Sequence, residues 1–267
     1  MDQKIKKQLN NLEKKEQKLI QKSRRAQEKK EAPAKRGQWG KKLRGKIPDK
    51  LAGTLNAAFC KGFSLVFEKG ASWIEKTYDK KKIAGIHEMQ DRLYREESSR
   101  RRLRQLDQQA KKTKWINTAV AAAEGGGLGL FGIGLPDIPL FLALLLKGIY
   151  ETALSYGFAY DSDQERIYIL SLIAAALTEE DKDRANLRAD EIEAAIDAGK
   201  AFPWKLDEEI RRTSNILATN LMTVKFLQSV LIVGAVAGIA NVGIYRKAAG
   251  YAALKYKKRY LKTLQKN

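Results

Sequence analysis

Few residues in this chain are of a type that could do chemistry. Among 267 residues there is one histidine, His87, and one cysteine, Cys60. A lone thiol can form neither an internal disulfide nor a multi-thiolate zinc site. A lone histidine allows one Ser-His-Asp arrangement at most, and His87-Glu88-Met89-Gln90-Asp91 lacks the second histidine of a zinc-protease helix. A surface position on an Arg-rich helix is the simpler reading of His87. The other candidates are carboxylates in apolar surroundings. Asp137 lies within an apolar run, between Pro136 and Ile138-Pro139, where a charge needs a partner. It either caps the helix that begins at Ile138 or joins Glu124, Glu151 and Arg166 in an acidic pocket. Gly127-Leu128-Gly129-Leu130-Phe131-Gly132 has the spacing of a dinucleotide-binding turn. The residues before it favour helix, whereas that turn follows a buried strand. Close helix packing is therefore the better use of these glycines. No metal and no cofactor is expected.

The elements that must position these residues read as helices throughout. In residues 1–32, Ile5, Leu12, Leu19 and Ala26 recur every seven positions, with Leu9 between the first two. Glu16 and Ser23 occupy the remaining core positions of that heptad, so a coiled coil is poorly supported and a solvated helix or disorder is expected. A homo-oligomer, if one forms, would use the seam over residues 1–31. Pro33, Gly37, Gly40, Gly45 and Pro48 keep residues 33–48 irregular. A helix should start at Ile47-Pro48-Asp49, a second at Ala71, and an Arg-rich third over residues 83–112. After the Gly-rich stretch, residues 140–149 form a buried helix that Tyr156-Gly157-Phe158 terminates. Ser162 and Glu165 have the spacing of a capping box for a helix over 163–177. Amphipathic helices over 186–199 and 206–225 follow. Residues 226–245 contain no charged side chain and could span a membrane or form a core helix.

Charge is distributed unevenly. The chain carries a formal net charge of +20. Residues 1–114 hold 33 Lys/Arg against 14 Asp/Glu, and the remaining residues 18 against 17. Residues 179–209 are acidic, with 11 carboxylates to 5 cations, whereas residues 246–267 carry eight cations and no acid. Such polarity predicts an anionic partner. The expected contact residues are Lys35, Arg36, Trp39, Lys41, Lys42, Arg246, Lys247, Lys257, Lys258 and Arg259. An anionic lipid surface suits them best; nucleic acid bound through residues 1–46, with Trp39 stacking a base, is the alternative.

The ordered combination of Ile47-Pro48-Asp49-Lys50, the Gly-rich stretch, Asp137-Ile138-Pro139, Tyr156-Gly157-Phe158, Glu165-Arg166-Ile167-Tyr168-Ile169-Leu170 and Val233-Gly234-Ala235-Val236-Ala237-Gly238 with Asn241 resembles the EcsC family. The resemblance covers about residues 47–260, leaving residues 1–46 as a basic extension and 261–267 as a basic tail. One departure is Leu231, where family members often have proline, so a longer unbroken helix is expected there. The resemblance implies a bacterial setting beside ABC transporter subunits and no defined reaction. The expectation is thus an all-α, multi-helix bundle with tightly packed Gly-rich central helices. It would be a non-enzymatic cytoplasmic protein, peripheral on the inner face of the cell membrane. The alternatives are an enzyme built around Asp137 and a nucleic-acid binder.

Overall fold

A computed structural model describes residues 2–31, 49–70, 74, 78–96, 105, 107–108, 138–178, 181–229 and 237–266. Among them are eight α-helices and no strand. The helices are α1 (Asp2–Glu31), α2 (Asp49–Leu65), α3 (Lys80–Glu96), α4 (Ile138–Ser155), α5 (Asp163–Leu177), α6 (Lys182–Asp197), α7 (Leu206–Ser229) and α8 (Ala237–Lys266). A π-helical turn, Val66–Gly70, extends α2.

Helix α5 is the axis of the bundle. Every residue from Ile167 to Leu177 is buried. A helix that is apolar all round must be enclosed on all sides, and α6, α7 and α8 pack around it. Its start is fixed locally, because the Ser162 hydroxyl accepts a hydrogen bond from the Glu165 N–H at 3.2 Å. Only half of the expected capping box forms. The Glu165 side chain turns away from the cap towards Arg259 and Tyr256, since a buried guanidinium binds a carboxylate more strongly than a solvated amide does.

The other layer is α4, which packs against α8, α3 and α2. It is the one described helix long and apolar enough to cross a membrane, yet 72% of it is buried inside the bundle. It stops as expected: Gly157 adopts a φ of +80°, and the Phe158 N–H donates to the Ala153 carbonyl at 3.0 Å. Where α4 crosses α8, Gly148 lies against the ring of Tyr245, and a Cβ on Gly148 would collide with that side chain.

Helix α1 departs from the expectation of a solvated helix. Ile5, Leu9, Leu12, Glu16 and Ile20 are buried, and the helix packs on α8 and α6. Leu19, part of the heptad reading, is exposed. Positions 5, 9, 12, 16, 20 and the half-buried 23 span 18 residues in five steps, the 3.6-residue period of a straight helix lying on a globular core. These apolar positions are therefore spent within the chain. The Gly-rich stretch, Glu124, Asp137 and residues 32–48 lie outside the described residues, as do 230–236 of the apolar run 226–245.

Gly148→Ala is expected to destabilise the protein by about 1–3 kcal/mol through overpacking. Combining it with Tyr245→Phe, which removes the nearest atom, should recover part of the loss. Urea denaturation of the single and double variants measures both.

Candidate functional site

The second half of α8 places four cations on one face. Lys255, Lys258, Arg259 and Lys262 follow i, i+3, i+4, i+7 spacing, so they form a single stripe. Opposite them, α6 carries Asp190, Glu193 and Asp197, spaced i, i+3, i+7. The two stripes mesh. Lys255 Nζ lies 2.7 Å from Asp190 Oδ1, Lys262 Nζ 2.6 Å from Glu193 Oε1, and Arg259 Nη2 2.7 Å from Asp197 Oδ1. Two further carboxylates close the ladder. Glu165 of α5 receives Arg259 Nη1 at 2.6 Å, and Glu16 of α1 receives Lys258 at 2.8 Å and pairs with Lys255.

Burial makes this ladder consequential. Lys255 is 0% exposed, Arg259 3% and Glu16 3%. Isolated charges at such positions would be destabilising by several kcal/mol each; here every one has an opposite charge in contact. The Arg259 guanidinium also lies 4.3 Å from the ring centre of Phe158 and 5.3 Å from that of Tyr168. Tyr168 donates to Glu193 at 2.6 Å, and Tyr256 donates to Glu165 at 3.2 Å. Burial pushes the carboxyl of Glu16 upward, but Lys255 and Lys258 outweigh it and hold it below its ordinary range. For Glu165 burial wins, aided by the nearby Asp197 charge, and its carboxyl sits above the ordinary range despite Arg259. Burial also pushes the Tyr168 and Tyr256 phenols far up, so both stay protonated donors. The ladder holds no unpaired nucleophile; its chemistry is the fixing of α1, α5 and α6 to α8.

On the far side of α1 the charge has one sign. Residues 3–25 expose nine Lys/Arg, of which Arg24 pairs with Asp183 of α6 at 2.8 Å, and a single carboxylate, Glu13. Lys7, Lys14, Lys18 and Arg25 lie nearly opposite Glu16 on a 3.6-residue wheel. Glu16 thus anchors the inner face of a helix whose outer face is cationic.

The structure revises several placements made from sequence. Lys258 and Arg259, expected to contact an anionic surface, point inward and are occupied by Glu16, Glu165 and Asp197. Lys257 is also largely enclosed and pairs with Asp107. Their charges are neutralised inside the bundle by carboxylates of the same chain: Glu16 of α1, Glu165 of α5, Asp197 of α6 and Asp107. Arg246 and Lys247 remain on the exposed side of α8. Lys35, Arg36, Trp39, Lys41 and Lys42 lie outside the described residues. Of the acidic-pocket set, Glu151 is buried on α4, and Arg166 bonds to Asp163 at 3.0 Å and lies over Phe67. His87 is half-buried rather than on the surface. Its Nδ1 is 3.1 Å from the Ser155 carbonyl, its ring meets Tyr260 edge-on, and burial lowers its pKa.

Comparison with known proteins places this architecture. The model of the EcsC protein family matches residues 6–261. The chain belongs to the EcsC family. Protein EcsC of Bacillus subtilis (strain 168) is 32% identical over 151 residues, which is 55% of this chain and 61% of that relative. No solved structure matches. The family match begins inside α1, so in this EcsC-family chain the anchoring helix and its Glu16 lie within the matched region, whereas the sequence reading begins the domain at residue 47.

Two outcomes test the ladder. Arg259→Met leaves Glu165 and Asp197 without their guanidinium and should cost about 3–5 kcal/mol. Adding Glu165→Gln should cost less than the sum of the two single changes, which a double-mutant cycle in urea reads directly. The depressed Glu16 pKa has a definite sign in pH. Its contribution is complete above its ordinary value of 4.5 and is lost as pH falls below that value. The stability difference between wild type and Glu16→Gln should therefore shrink with acidification below pH 4.5 and stay flat above it.

Proposed function

We propose that this protein is a non-enzymatic helical scaffold that docks on the anionic, cytosolic face of a membrane through the outer face of α1. The observation that carries the reading is the row of exposed cations Lys7, Lys14, Lys18 and Arg25 on the side of α1 opposite Glu16, with no carboxylate among them. Those cations sit on a helix whose opposite face is committed to the bundle core. A bilayer rich in acidic lipid attracts such a face by about 1 kcal/mol per Lys or Arg near the surface. Arg246 and Lys247 add to the exposed cations on α8. The contact is electrostatic, since the apolar side chains of α1 other than the exposed Leu19, namely Ile5, Leu9, Leu12 and Ile20, are already buried. The ABC transporter setting implied by the family resemblance is a location of this kind.

The alternative of an enzyme built around Asp137 has less on which to rest, since Arg166, one of its candidates, is engaged by Asp163.

Vesicle flotation measures the docking. The intact chain should float with phosphatidylglycerol-rich vesicles at low salt and not with pure phosphatidylcholine. Changing Lys7, Lys14, Lys18 and Arg25 to Glu should cut recovery at least about tenfold while leaving the thermal melt in place, because all four are exposed. Equal recovery on both vesicle types, or none on either, sinks the reading. Displacement by RNA at matched ionic strength would point to nucleic acid instead.

A further inference from the structure

We infer that Glu16 decides which surface receives the apolar face of α1: it commits that face to the bundle and bars it from lipid, so that membrane contact stays electrostatic and reversible. The inference rests on the docking proposed above. Its starting point is the composition of the helix. A stripe of Ile5, Leu9, Leu12 and Ile20 framed by lysines and arginines is the pattern of a helix that lies in a membrane interface with its apolar side in the acyl chains. This helix therefore has two environments available to one face. A carboxylate interrupts that face near its middle, and it acts with the same sign in both places.

On the bundle, Glu16 meets two ammonium groups. Lys258 approaches at 2.8 Å and Lys255 is in direct contact. Asp190 of α6 shares Lys255. If α1 left, Lys258 would lose this carboxylate and Lys255 would keep Asp190 alone, inside a core where an under-compensated charge is strongly destabilising. In a bilayer the same carboxylate would enter the headgroup–acyl boundary with no cation placed to receive it. Both terms favour the bundle. The apolar contacts do not discriminate in this way, because isoleucine and leucine gain similarly from a protein core and from lipid. The selector is thus the one charged residue on the face, while the opposite cations remain available to lipid phosphates.

The experiment compares wild type with Glu16→Leu, which removes the ladder contact and makes the face continuously apolar, and with the milder Glu16→Gln. Wild type bound to phosphatidylglycerol-rich vesicles should be released at ~1 M salt, where the screening length falls to about 3 Å. Glu16→Leu should stay bound through that wash and should also bind pure phosphatidylcholine vesicles. Release of Glu16→Leu at the same salt as wild type overturns the inference. Hydrogen exchange without vesicles serves as the second readout should Glu16→Leu fold poorly. In Glu16→Gln the amides of α1 should exchange at least about tenfold faster, while those of α5 keep their protection. Unchanged protection of α1 in Glu16→Gln also overturns it. A wild type that ignores anionic vesicles rejects the docking reading alone. In that case a Glu16→Leu variant that binds still upholds the role of Glu16, and one that does not bind overturns it.

Discussion

The C-terminal half of α8 can pack on α1 and α5 only because its cationic side chains meet carboxylates there. Lys255, Lys258 and Arg259 would otherwise require water, which the partly exposed Lys262 still reaches while pairing with Glu193 of α6. The carboxylates come from three helices distant in sequence: Glu16 from α1, Glu165 from α5, and Asp190, Glu193 and Asp197 from α6. Five carboxylates face four cations. The raised pKa of Glu165 fits that surplus, since its site combines deep burial with a second carboxylate near the same guanidinium.

Such a ladder does more for uniqueness than for total stability. Well-packed apolar side chains of similar volume could fill the same space at equal or lower free energy. Charges, however, tolerate few registers. A one-turn slip of α6 along α8 would oppose Lys255 with Glu193 and leave Asp190 without its cation. Dispersion contacts between Ala, Ile and Leu at the same interface would accept that slip with far smaller loss. The aromatic side chains Phe158, Tyr168 and Tyr256 enclose Arg259 and exclude water, which strengthens each pair they cover. Because Glu16 is part of this set, the outer cationic face of α1 has a defined orientation relative to the bundle. A charged tail attached by disordered chain would have none.

Much of this was legible in the residues. Helix α5 over 163–177 follows from its unbroken apolar composition after Ser162, and the end of α4 follows from Gly157. The anomaly that mattered was also visible, because Glu16 stands where a heptad wants an apolar residue. In isolation it reads as a defect in a weak coiled coil. Its meaning depends on Lys255 and Lys258, some 240 positions away in the chain. The basic segment 246–267 and the acidic segment 179–209 were likewise evident as opposite charges, yet nothing in local spacing says that they neutralise each other before either meets a partner.

Composition and periodicity by themselves determined that the chain is helical, where several helices begin and end, and that its first two-fifths carries nearly all the excess positive charge. Those properties depend on neighbours within one or two turns, which sequence reports directly. Only the tertiary structure decided which cations are spent inside and which face outward: Lys258 and Arg259 are consumed by the ladder, while Lys7, Lys14, Lys18 and Arg25 are presented on the surface. The physical reason is that burial of a charge depends on a partner brought within about 4 Å by packing, and that distance is unrelated to separation along the chain.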